Sequence, residues 1–216
     1  MRRNDDMLPT YLTVNPDGGD EQLIQKSRFI GHVARTETEG EALDFIAKIK
    51  AEHAAATHNC SAYMIGEHDL IQKANDDGEP SGTAGVPILE VLKKQQLKDT
   101  TIVVTRYFGG IKLGAGGLIR AYSSTASLAI KATGVVRRQL MQGFTVSIEY
   151  TLLGKLENEI RQSAYQLEDI QYLDKVTFTI YSEIDDLVQF KNWMVDLTND
   201  QATIEEIDTK YIDIPL

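Results

Sequence analysis

Residues 100–133, TTIVVTRYFGGIKLGAGGLIRAYSSTASLAIKAT, decide how this chain folds. The run Thr100–Phe108 is apolar or β-branched almost throughout, which predicts a central strand buried on both faces. A loop rich in glycine follows, then a helix expected from about Gly117 to Ala132. On that helix Ile119, Tyr122, Ala126 and Ile130 fall on one stripe and should face the core. Arg120, Ser124, Ser127 and Lys131 fall on another and should face solvent. Without Cβ atoms, Gly109, Gly110, Gly114, Gly116 and Gly117 leave backbone N–H groups bare, and a helix dipole behind them favours an anion. Arg106, Lys112, Arg120 and Lys131 would add charge there, with Ser124 and Ser127 as secondary hydrogen-bond donors. The pattern therefore predicts a phosphate seat, although close strand-to-helix packing explains the same glycines.

Two familiar phosphate loops are excluded. No Gly-Lys-Ser/Thr closes the stretch, so it is not a Walker A loop. Gly114 and Gly116 fit a dinucleotide fingerprint, but Ile119 stands where its third glycine belongs. Upstream, NDDGEPSGTAGVPIL (75–89) is a second glycine-rich loop, acidic where the later one is basic. Asp76, Asp77 and Glu79 could bind a hard cation or answer the basic loop, with Ser81 beside them; Ser81 or Thr83 could also cap a helix through Pro87. An EF-hand is excluded, because Lys73 and Ala84 occupy the first and last ligand positions. His58 and Cys60 share one face of a strand, where a small buried thiol is the simpler reading than a nucleophile. Neither a metal nor a cofactor is expected, and no catalytic residue is assigned.

Charge divides the chain. The 216 residues sum to −10. Residues 1–138 carry 17 basic and 17 acidic side chains, while residues 139–216 carry 5 and 15. Within the first part, residues 90–138 hold 9 basic residues and only Glu90 and Asp99 as acids. A phosphate-bearing partner is drawn to one part and repelled by the other. Cys60 is the single cysteine, and no apolar run approaches the roughly 18 residues of a membrane span. No apolar stretch follows Arg2 and Arg3, so a signal peptide is not expected, and the cytoplasm is the plain expectation.

Elsewhere the first twenty residues look like a loose leader with an edge strand at YLTV, and EQLIQKSRFIGHVART reads as two strands broken near Ser27. Thr38 and Glu41 have capping-box spacing before a helix with the stripe Ala42, Phe45, Ile46, Ile49. HNCSAYMIG and DLIQKA read as a hairpin. The texture changes around Arg137–Gln142, after which strand, helix, two strands, helix and strand follow. That βαββαβ order is ferredoxin-like. Tyr165, Tyr172, Phe178, Tyr181, Phe190 and Trp193 suit its small core.

The two glycine-rich signatures, with HNCSAY before them, resemble the YigZ/IMPACT family, and the resemblance runs from about residue 20 to the end. It implies an α+β protein with an N-terminal ribosomal protein S5 domain 2-like domain (1–138) and an acidic ferredoxin-like domain (139–216). It further implies resemblance to consecutive domains of the elongation factor that translocates the ribosome, and a role in regulating translation initiation. The expectation is thus a non-catalytic, translation-associated protein that meets RNA or the ribosome through its N-terminal domain. Two alternatives stand beside it: a small phosphorylated ligand or nucleotide held between the loops, enzymatically or not, and a protein partner docked on the acidic domain. A membrane partner is not expected.

Overall fold

In the computed structural model, which describes residues 7–216, strand β1 (Thr10–Val14) precedes a hairpin of β2 (Asp17–Ile24) and β3 (Ser27–Arg35). Gln25 and Lys26 close that hairpin with φ of 45° and 67°, the left-handed two-residue turn that matches strand twist. The expected leader is thus shorter than twenty residues: its first six lie outside the described residues, and Asp17–Asp20 pair with Gly31–Ala34. Helix α1 (Glu39–Glu52) starts at Thr38, whose hydroxyl accepts the Glu41 amide at 3.2 Å, as the capping spacing predicts.

Strands β4 (His58–Ile65) and β5 (Ile71–Asn75) form the second hairpin, followed by α2 (Gly85–Lys94), β6 (Thr100–Tyr107) and α3 (Gly114–Thr133). The sheet runs β2-β3-β6-β4-β5, antiparallel throughout, so β6 is central and buried from Thr100 to Arg106. Alternation along β6 sends Ile102 and Val104 to the face covered by α2 and α3. There they pack with Phe29, Cys60, Ile88, Leu92 and Tyr122. Each such side chain contributes about 1.5–3 kcal/mol of transfer free energy on full burial. A smaller cluster of Ala42, Tyr63 and Ile65 forms separately, with Ile46 of α1 packed against it.

Helix α3 begins three residues before the expected start, and its core stripe is rotated. Tyr122, Ala126 and Ile130 are buried, but Ile119 is 42% exposed and Leu118 takes its place. Each residue turns the helix by about 100°, and Leu118 lies one +4 step before Tyr122, so the stripe passes through 118 and leaves 119 outside.

The second half reads β7 (Val135–Ile148), α4 (Leu153–Gln162), β8 (Gln166–Tyr172), β9 (Val176–Glu183), α5 (Leu187–Thr198) and β10 (Thr203–Pro215). The strand order β8-β9-β7-β10 makes this domain ferredoxin-like. Residues 137–142, expected as a change of texture, lie inside β7. Phe144, Phe178 and Phe190 fill the core, with the Phe144 and Phe190 rings 4.5 Å apart. Tyr172 does not join them; it ends β8 at 56% exposure.

Both domains mix helices and sheet, so the protein is α+β. The chain partitions as Tyr11–Arg137 with Ile214–Leu216, and Arg138–Asp213 with the short stretch ending at Thr10. That stretch is held by its own unit: the Leu140 amide donates to the Pro9 carbonyl at 2.8 Å, and the Tyr211 hydroxyl to the Leu8 carbonyl at 2.7 Å.

Candidate functional site

Both glycine-rich loops line one cleft of about 420 Å³ in the N-terminal domain. The acidic loop supplies Glu79 and Pro80, the basic loop Lys112 to Ala115, and the ends of β4 and β6 supply His58, Arg106 and Phe108. Register explains the floor. Phe29, Arg106 and His58 stand opposite one another across β3, β6 and β4.

The acidic loop spends its polar groups on itself and the strands beneath it. Asp76 accepts three backbone amides, from Gly82 at 2.8 Å, Ala84 at 3.0 Å and Gly85 at 2.8 Å, and so caps α2 from a distance in place of Ser81 or Thr83. Burial pushes its carboxyl upward, yet the three amides together hold it below the ordinary carboxylate value. Asp77 bridges the Lys50 ammonium at 2.6 Å and the Asn59 amide at 2.7 Å. Ser81 is exposed. Among the described residues, no cluster of three or more His, Cys, Asp or Glu side chains is placed to hold a metal.

Glu79 alters the expected role of Arg106. The Arg106 guanidinium donates to Glu79 Oε1 at 2.6 Å, with only 6% and 4% of the two side chains exposed. The Tyr122 hydroxyl donates to the same oxygen at 2.8 Å. Phe29 and Phe108 lie near the guanidinium, each ring centroid 5.3 Å from its central carbon. Arg106 is therefore a neutralised structural cation, not a free charge for phosphate. Its pairing still realises one expectation, since an acid of the first loop answers a base of the second. Cys60 is no nucleophile: its thiol donates to the Asp76 carbonyl at 3.0 Å, and burial pushes it up to about 12.

The basic loop stays open where α3 begins. Leu113 stands at the N-cap with no side-chain hydrogen bond, and the first turn holds no acid. In an α-helix the first three residues have no intrahelical acceptor, so the amides of Gly114, Ala115 and Gly116 face outward. Ala115 escaped the sequence reading because only glycines were counted. Two expected donors drop out. The Gly109 amide already donates to Ser27 Oγ at 3.1 Å, and Gly117 is the fourth helical residue, whose N–H starts the intrahelical ladder. Gly110 is exposed with φ of 87°, and Gly114 takes 68°.

Among the expected cations, Lys112 lines the cleft, and Arg120 folds back so that a Cβ added at Gly116 would lie 3.5 Å from its Nη1. Neither forms an ion pair among the described residues. Ser124, Ser127 and Lys131 share the exposed stripe as expected, but not the cleft. They lie about 15, 20 and 26 Å along α3 from Gly114 at 1.5 Å per residue. Their two hydroxyls donate to the carbonyls of Ala121 and Ser123.

A family model described as the Impact N-terminal domain matches residues 25–130, and another, a domain of unknown function termed DUF1949, matches residues 146–201. The IMPACT family member YvyE of Bacillus subtilis (strain 168) is 57% identical over 207 residues, spanning 96% of this chain and 95% of its own. The chain belongs to the IMPACT family. The family member YigZ of Escherichia coli (strain K12) is 39% identical over 152 residues, 66% of this chain and 74% of its own. A solved structure described only as a hypothetical protein matches with a TM-score of 0.60 and 29% identity, covering 94% of this chain and 99% of that one. Two glycine-rich loops inside the matched Impact N-terminal region thus converge on one cleft. No helix among the described residues is long and apolar enough to cross a membrane.

Proposed function

We propose that this protein is a non-catalytic regulator of translation whose N-terminal domain seats the phosphodiester backbone of RNA, free or within the ribosome, at the start of α3. One observation supports the reading: the amides of Gly114, Ala115 and Gly116 are left without a side-chain cap beside Lys112 and Arg120, which form no ion pair among the described residues. Amides with a helix dipole behind them favour an anion, and backbone contacts of this kind read charge and shape rather than sequence. Lys131, further along the same exposed stripe, supplies charge to a strand continuing past the seat. The local excess of basic residues over 90–138 draws a polyanion to this domain and not to the acidic one.

Fluorescence anisotropy with single-stranded RNA across a salt series tests this. Each phosphate neutralised contributes about 0.7 to the slope of log affinity against log salt. The double variant Lys112→Ala/Arg120→Ala flattens the slope and weakens binding; unchanged affinity and slope refute the seat. A second reading, a small phosphorylated ligand, is favoured by the shape of the cleft, which has a buried floor. Calorimetry with mononucleotides and no polymer separates the two, since backbone binding needs several phosphates to reach micromolar affinity while a closed site needs one.

A further inference from the structure

The floor of the cleft has a chemistry that phosphate does not use. Glu79 Oε1 takes both protein hydrogen bonds, from Arg106 and Tyr122. Its other oxygen, Oε2, accepts no hydrogen bond among the described residues and lies 3.9 Å from His58 Nε2, beyond hydrogen-bond reach. Yet the side chain is just 4% exposed, and Glu79 lines the cleft. That oxygen is an acceptor presented to the cleft with no protein donor on it.

His58 supplies a second acceptor. Its Nδ1 lies 2.8 Å from the carbonyl oxygen of Asp77, which can only accept, so Nδ1 carries the proton. In the neutral ring Nε2 is then a lone pair beside Glu79 Oε2. Above this pair of acceptors the walls are flat and apolar. Phe108 is 45% exposed with Arg106 behind its ring, and Pro80, Leu113 and Leu118 complete the enclosure. The occupant that fits is planar, stacks on an aromatic face, and presents adjacent donors along one edge with no acceptor between them.

Among RNA bases only guanine does so, through N1–H and its exocyclic amino group. Adenine and cytosine place a ring acceptor beside their amino group, and uracil flanks its single N–H with two carbonyls. We propose that the cleft receives one unstacked guanine of a single-stranded RNA, its Watson–Crick edge on Glu79 Oε2 and His58 Nε2 and its face on Phe108. This deepens, and rests on, the reading that the start of α3 seats the RNA backbone, whose neighbouring phosphate would lie on the amides of Gly114 to Gly116. Splaying a base out of a single strand onto an aromatic side chain and reading its edge is the general mode of sequence-specific RNA recognition.

The test uses the full chain and three labelled heptauridylates that differ only at the central position: guanosine, inosine or adenosine. Inosine keeps N1–H and loses only the amino group. The guanosine heptamer is expected to bind about tenfold or more tightly than either of the others. His58→Ala is expected to erase most of that preference while leaving the salt dependence of all three intact. Equal affinity for the three heptamers, with the salt slope still sensitive to Lys112→Ala/Arg120→Ala, overturns the guanine site and leaves the phosphate seat standing. A guanosine preference that survives His58→Ala places the reader elsewhere and also overturns it. Absence of salt-dependent binding to any heptamer removes both readings together.

Discussion

Two glycine-rich loops meet at one cleft, and they treat their backbone in opposite ways. Residues 75–89 consume their own polarity: Asp76 ties up three amides, Asp77 an amide and an ammonium, and Glu79 a guanidinium and a phenol. Residues 109–117 leave the first turn of α3 without a side-chain cap, and Lys112, with Arg120 one turn further on, forms no ion pair among the described residues. Similar composition therefore serves different ends. A closed loop holds the cleft in shape and leaves over one carboxylate oxygen of Glu79, while an open one leaves its amides able to bind. What separates them is whether carboxylates stand within reach of the amides, not how many glycines each contains.

The sharpest way to break this contrast is to open the closed loop. Glu79→Ala leaves Arg106 and Tyr122 buried without their acceptor, and chemical denaturation should register a loss of about 3–5 kcal/mol. An effect below 1 kcal/mol would mean that the pair contributes little and that the floor is not rigid. Next comes a test inside the open loop itself. A Cβ at Gly109 would lie 2.0 Å from the Lys26 carbonyl, so Gly109→Ala should destabilise by about 1–3 kcal/mol. Gly116→Ala meets only the mobile end of Arg120 and should instead stabilise α3 by up to about 1 kcal/mol. Equal effects at the two positions would contradict the division into a structural and an exposed part.

Acid should separate the loops more gently. The Asp76 carboxyl is held below its ordinary value of 3.8 in the folded protein. Its contribution is complete above that value and is lost as pH falls below it through the lowered native value. Thermal melts from neutrality to about pH 2 should show this loss, and Asp76→Asn should reduce the pH dependence. The smallest stability effect belongs to the open loop: Lys112→Ala and Arg120→Ala should each shift unfolding by no more than about 0.5 kcal/mol, while the pair flattens the salt dependence of RNA binding. A large stability loss there would show that these cations are structural after all.

Much of this was legible from residue order alone. Continuous apolarity marked β6 as central, and the spacing of six elements marked the ferredoxin-like domain. The start of α3 was misjudged because Gly114–Gly116 are poor helix formers whose helical state depends on the fold around them. Arg106 was misassigned for a different reason. Its partner lies 27 positions away, and nothing local distinguishes Glu79 from Asp76 and Asp77 as the acid that meets it. Only the strand register, which sets His58 beside Arg106, brings the acidic loop over that guanidinium. Spacing pairs His58 with Cys60, yet the hydrogen-bond partner of its Nδ1 is a backbone carbonyl at Asp77, a contact with no signature in side-chain spacing.

The stretch around Leu8 and Pro9 carries a consequence for synthesis. It is made before the intervening unit, whereas its partners Leu140 and Tyr211 emerge after that unit. The intervening unit can therefore finish folding while those residues wait, and the second unit is completed only when they meet chain made up to 203 positions later. A fragment cut to begin at residue 139 would carry Tyr211 without the Leu8 carbonyl that its hydroxyl meets in the whole chain.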